Sequence, residues 1–186
     1  MSTQTADRLV FPGVATAGEL ADQVIAARGE PSWEAPDDVA DLRDLVRGLL
    51  DLNAGRDLRV RLGGRFFEVV ITSSGAGARE AVEVMDRHQG RCGPVIDDPR
   101  NGWFYWLVPP GSTSRWTPHP SAVCLGAPHV LTMPPPERRA GPRPFWHRPP
   151  ASDRLVPAGP LWDLLVHYRP EPAPHPHLEQ HLGITV

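Results

Sequence analysis

At 186 residues the chain is long enough to bury a core as one domain without a disulfide or metal staple. A formal charge of −3, with arginine supplying all 19 basic residues, argues against a dedicated sequence-independent DNA binder, which carries a clear positive excess. Two isolated cysteines, Cys92 and Cys124, exclude a disulfide framework or a cysteine-rich zinc site, and no apolar run approaches the ~18 residues of a membrane span. With a polar start lacking the signal-peptide pattern, the expected location is cytoplasmic, with reduced, buried thiols.

Residues 1–15 read as extended, with Leu9, Val10 and Phe11 as an apolar strip. Thr16 and Glu19 have capping-box spacing and open a helix to about Arg28. A second helix follows Pro36, with Leu42, Leu45, Val46 and Leu49 on one face and Asn53-Ala-Gly55 as its end. Leu58 to Leu62 alternates as a half-buried strand does, and residues 66–72 form a strong strand rich in aromatic and β-branched side chains. A helix is predicted over 78–89, then a short strand at Val95-Ile96, a turn over 97–102 and a second strong strand over 103–108.

Beyond Pro109 the chain carries most of its 23 prolines, so short strands are expected at 122–125, 129–133 and 145–147. Pro160 suits the first residue of a helix over 161–169. Residues 170–186 read as a Pro/His-rich tail with an apolar end, Leu182-Gly-Ile-Thr-Val186. The segments predicted are therefore 1–56, a core of 57–169 and the tail. The fold class is α+β, a mostly antiparallel sheet with helices packed on one face.

Three patches carry a family likeness. They are residues 64–72 (Gly-Arg-Phe-Phe-Glu-Val-Val-Ile-Thr), residues 93–97 with 102–111 (Gly-Pro-Val-Ile-Asp, then Gly-Trp-Phe-Tyr-Trp-Leu-Val-Pro-Pro-Gly), and residues 124–135 (Cys-Leu-Gly-Ala-Pro-His-Val-Leu-Thr-Met-Pro-Pro). In order and spacing, residues 65–166 resemble the N-terminal domain of bifunctional primase–polymerases, of the archaeo-eukaryotic primase type, in an eroded form. The resemblance implies a polymerase scaffold in which strand carboxylates hold two divalent metals. At the matching positions stand Glu68, Ile71, Trp103 and Val123, so Glu68 alone keeps a carboxylate. One carboxylate cannot hold two metals, and the resemblance therefore implies a non-catalytic member with no metal or other cofactor. Asp97 and Asp98 are acids in a turn before they are replacement ligands.

Residues 137–148 are the most basic and aromatic window. Arg138, Arg139, Arg143 and Arg148 with Trp146 form a candidate single-strand or nucleotide grip, arginines on phosphates and an aromatic ring under a base. The simpler reading is an arginine loop leading into a core strand. Residues 103–106 place four aromatics on one strand, two for the core and two for a platform or for further packing. Gly75-Ala-Gly77 before a helix has the look of a phosphate turn but lacks the lysine and spacing of a P-loop. His177 and His181 have metal spacing, in a segment broken by prolines. His119, Cys124 and His129 are a weaker metal set, and Glu68, Asp97 and His129 the basis of an altered enzyme.

The functional expectation is a binding or regulatory protein that recognises single-stranded nucleic acid or nucleotide. The alternative is a protein-interaction or assembly module acting through residues 170–186, on a partner or a second copy.

Overall fold

The computed structural model describes residues 14–16, 56–63, 66–89, 92–150 and 155–172. Most of the predicted N-terminal helical segment and of the tail lies outside them. Eleven elements are described. They run β1 (Val14–Thr16), β2 (Leu58–Arg61), β3 (Glu68–Ser73), α1 (Ala76–Gln89), β4 (Val95–Asp98), β5 (Trp103–Val108), α2 (Ser112–Arg115), β6 (Ala122–Leu125), β7 (Val130–Met133), β8 (Phe145–Arg148) and α3 (Ala158–Tyr168).

The described residues form an α+β fold, with two mostly antiparallel sheets and three helices. Five strands are ordered β6-β3-β5-β4-β8 and three are ordered β1-β2-β7. Among the described strands only β1 and β2 pair in parallel. The centre is β3 against β5, with Glu68 opposite Val108 and Ser73 opposite Trp103. Every residue of both strands is buried. That explains their unbroken apolar sequences, because a strand covered on both faces has no solvent side to alternate toward.

Alternation along β3 separates two cores. Val69 and Ile71 face the small sheet and meet Leu58, Val60, Leu131 and Met133. Val70 faces the helices and meets Ala81, Val82 and Met85 of α1 and Leu161 and Leu165 of α3. The helices therefore cover one face of the five-stranded sheet, as its patterning predicts. The single sheet of the sequence reading is corrected to two: β2 and β7 pair with each other, Leu58 opposite Met133, and lie across the second face. In β2 the pattern is strict, with Leu58 and Val60 inward and Arg59 and Arg61 outward.

Local chemistry sets the remaining bounds. Asp97 and Asp98 belong to β4, not to the turn, because they pair with Phe104 and Trp103. Asp98 organises the turn that follows, accepting from the Arg100 N–H at 3.2 Å and Asn101 Nδ2 at 2.8 Å. Gly102 closes it at φ 68°, where a side chain is disfavoured. Pro160 is the third residue of α3 rather than the first, still within the turn whose N–H groups have no helical acceptor.

Candidate functional site

Of the four positions that the resemblance assigns to a metal site, three share one face of the sheet and Glu68 lies on the other. Ile71 pairs with Val123 on one flank and with Tyr105 on the other. Trp103 lies two residues along the same face, and all three side chains pack beneath the small sheet. Glu68 points the other way. Its carboxylate accepts the Thr113 backbone N–H at 2.6 Å and Thr113 Oγ1 at 2.7 Å, pinning α2 to the end of β3. Gly126 makes room for it: a Cβ there would sit 2.9 Å from Glu68 Oε1.

Asp97 and Asp98 also face opposite layers. Asp98 accepts from the Tyr105 hydroxyl at 3.4 Å on the small-sheet side. Asp97, 2 % exposed, meets Arg79 Nη2 of α1 at 3.1 Å. Glu68 and Asp97 lie opposite Val108 and Phe104, on the two flanks of β5. That places them on the order of 16 Å apart along and across the sheet. Among the described residues no three His, Cys, Asp or Glu side chains come close enough to hold a metal ion. His119 and Cys124 have other surroundings, His119 edge-on to Trp162 with centroids 5.5 Å apart and Cys124 at 3.7 Å from Thr113 Oγ1. His177 and His181 fall outside the described residues.

The arginine window divides. Trp146 is 1 % exposed, and its Nε1–H donates to the Pro134 carbonyl at 3.0 Å, so it has no face to offer a base. Arg138 is bound to Asp57 and to the Pro144 carbonyl. Arg143 is exposed and 3.7 Å from the same carboxylate. Arg148 binds Asp86 of α1. Arg139 is exposed and makes no ion pair among the described residues. Arg143 joins Arg59 and Arg100 along a groove of about 330 Å³ between the sheets, which also contains Asp57 and Asp98.

All four aromatics of β5 are core: Trp103 and Tyr105 face the small sheet, and Phe104 and Trp106 face the helices. Around Phe104 is a charged cluster. Arg79 lies 5.2 Å above its ring and the His147 ring is 4.8 Å away. Burial, with Arg148 and Arg79 close by, holds the His147 imidazole down at about 4, against a smaller opposing pull from Asp86. Burial pushes the Cys92 thiol up to about 12 and the Cys124 thiol up to about 11, far from nucleophilic thiolates.

A second groove among the described residues lies elsewhere. It measures about 520 Å³ and runs between α2 and the first turns of α3, within the size range of ligand clefts. Pro109, Trp116, Pro157 and Trp162 supply its apolar walls, and Arg115 and Asp163 its charges. Trp162 is fixed by an Nε1–H bond to the Thr117 carbonyl at 3.1 Å. Trp116 and Trp162 are partly exposed, whereas Trp103, Trp106 and Trp146 are fully buried. The sequence reading singled out none of these groove residues. The one local signal is a pair of tryptophans beside prolines, and α2 is too short to carry a periodicity. No protein-family model, curated protein or solved structure matches the chain.

Proposed function

We propose that the protein is a non-catalytic binding protein on a primase–polymerase-like scaffold, and that it binds protein. The α2–α3 groove carries this reading. Two half-buried indoles and two half-buried prolines line it beside exposed opposite charges, in a domain that buries its other described tryptophans. Aromatic anchors with a charged rim are the composition of protein-recognition surfaces. Core side chains at Ile71, Trp103 and Val123 support the absence of turnover, since a metal needs oxygen ligands where they stand.

Peptides selected from a display library against the full chain, then rescreened against Trp162→Ala, test the reading. Binders that depend on Trp162 are expected. A selection that yields none, or binders indifferent to Trp162, overturns it, as does primer extension with magnesium or manganese.

A second reading keeps nucleic acid or nucleotide as the ligand. Its support is the alignment of Arg59, Arg100 and Arg143 along the smaller groove. Binding of labelled single-stranded DNA or RNA should then weaken with salt and with Arg143→Ala.

A further inference from the structure

The α2–α3 groove is large enough for an extended segment, and the chain itself contains one of matching chemistry. Residues 171–176 read Glu-Pro-Ala-Pro-His-Pro. Alternating prolines favour the extended polyproline conformation, which loses little entropy on docking and is recognised by aromatic-lined grooves. Glu171 complements Arg115, and His175, when protonated, complements Asp163. We propose that the groove of one copy receives residues 171–176 of a second copy, so that the protein assembles by exchange of its proline-rich segment. This inference rests on the protein-recognition reading of the groove.

The placement of α3 points to a second copy rather than the same one. Pro170 is buried at the C-terminal end of α3, where a Cβ on Gly77 of α1 would lie 3.3 Å from it. The groove lies at the other end, around Gly159 and Trp162. The helical rise puts those ends ~14 Å apart. Six residues in the polyproline form span ~19 Å. Folding back along α3 would use most of that length in the return, leaving little to lie in the groove. A neighbouring copy has no such restriction, and reciprocal exchange satisfies two grooves at once.

Sedimentation velocity of the full chain over a wide concentration range reads the assembly. Two variants accompany it: Trp162→Ala in the groove, and the triple change Pro172→Ala, Pro174→Ala and Pro176→Ala in the segment. The full chain should dimerise, and each variant alone should dimerise about tenfold more weakly or worse. An equimolar mixture of the two variants should recover association, because it restores one intact groove with one intact segment. Recovery separates a lost contact from a lost fold. A full chain that stays monomeric, a proline variant that dimerises normally, or a mixture that fails to recover overturns the proposal. A monomer that still selects peptides through Trp162 overturns the exchange alone. Loss of that selection as well removes the protein-recognition reading with it.

Discussion

Arg148 holds Asp86 with two guanidinium nitrogens, Nε at 2.9 Å and Nη2 at 2.6 Å, tying the edge strand β8 to α1. The other Asp86 oxygen accepts the Cys92 backbone N–H at 2.7 Å. Charge-assisted bonds of this kind are among the stronger ones, so Arg148→Ala should cost about 1–3 kcal/mol in urea unfolding. Burial by itself would raise the Asp86 pKa, but the Arg148 and Cys92 bonds outweigh it and leave the carboxyl below its ordinary value. The contribution is therefore present above the unfolded carboxylate pKa and is lost as pH falls through the lower folded one. Arg148→Ala should flatten that acid slope.

His147 gives a second pH dependence. Its folded pKa, about 4, is below the ordinary imidazole value. As pH falls, the unfolded chain takes the proton first. Stability is thus full above the unfolded histidine pKa and is lost from there down to about 4. His147→Phe keeps a ring against Phe104 and should abolish the loss in that window, measured by denaturation at stepped pH.

Asp97 acts in the opposite sense. Burial raises its pKa, the Arg79 charge and hydrogen bond counter only part of that, and Asp98 adds to it. Its stabilising share is present below the unfolded carboxylate pKa and is lost as pH rises through the folded one. Oδ1 is also buried without a hydrogen-bond partner. Asp97→Asn should therefore change neutral-pH stability by less than about 1 kcal/mol and remove the gain on acidification. A large loss at neutral pH would show that the Arg79 pair outweighs the burial cost.

Glu68 and Gly126 should be coupled. Gly126→Ala forces a Cβ against the carboxylate and Thr113 Oγ1, an overpacking cost of about 1–3 kcal/mol. In a Glu68→Ala background the carboxylate contact is gone and Thr113 Oγ1, still 3.0 Å from the added Cβ, is no longer held by Glu68, so the same change should cost less in a double-mutant cycle. Additive effects would contradict the placement of Glu68 as the anchor of α2.

Gly77 and Gly75 make an opposed pair. Alanine at Gly77 would gain ~1 kcal/mol of helix propensity. Its Cβ would meet the Tyr168 carbonyl at 2.8 Å, a backbone group that cannot swing aside. Gly77→Ala should thus destabilise by about 1–3 kcal/mol. Gly75→Ala meets only Ser73 Oγ at 3.8 Å and should be tolerated.

Much of the fold was legible because its strongest signals are local. The apolar runs of β3 and β5 and the alternation of β2 announce strands within a few residues of their observed bounds. Alternation states that one face is buried but not against what, so the pairing of β2 with β7 left no trace in either segment. Asp97 and Asp98 read as turn residues because acids are rare in sheet interiors. Arg79, distant in sequence, helps a buried carboxylate persist in β4. The arginine window was legible as basic, but its pairing with Asp57 and Asp86 is tertiary. The groove was not legible at all: Trp116 and Trp162 come to line one groove only once α2 and α3 are in place.

The β2–β7 ladder also bears on how the chain reaches this structure. Leu58 must find Met133 across an intervening stretch of about 75 residues, and closing a loop of that length costs ~4 kcal/mol of chain entropy before any contact repays it. Four strands of the larger sheet, with α1 and α2, are built from the sequence in between, whereas β8 and α3 follow β7. Native pairing of β2 with β7 is thus expected late, and refolding should be slow for a domain of this size, in the millisecond-to-second range of non-local β topologies. Until it happens, Val69, Ile71, Trp103 and Leu107 stand uncovered on a half-finished sheet. That interval is when the chain is most exposed to aggregation.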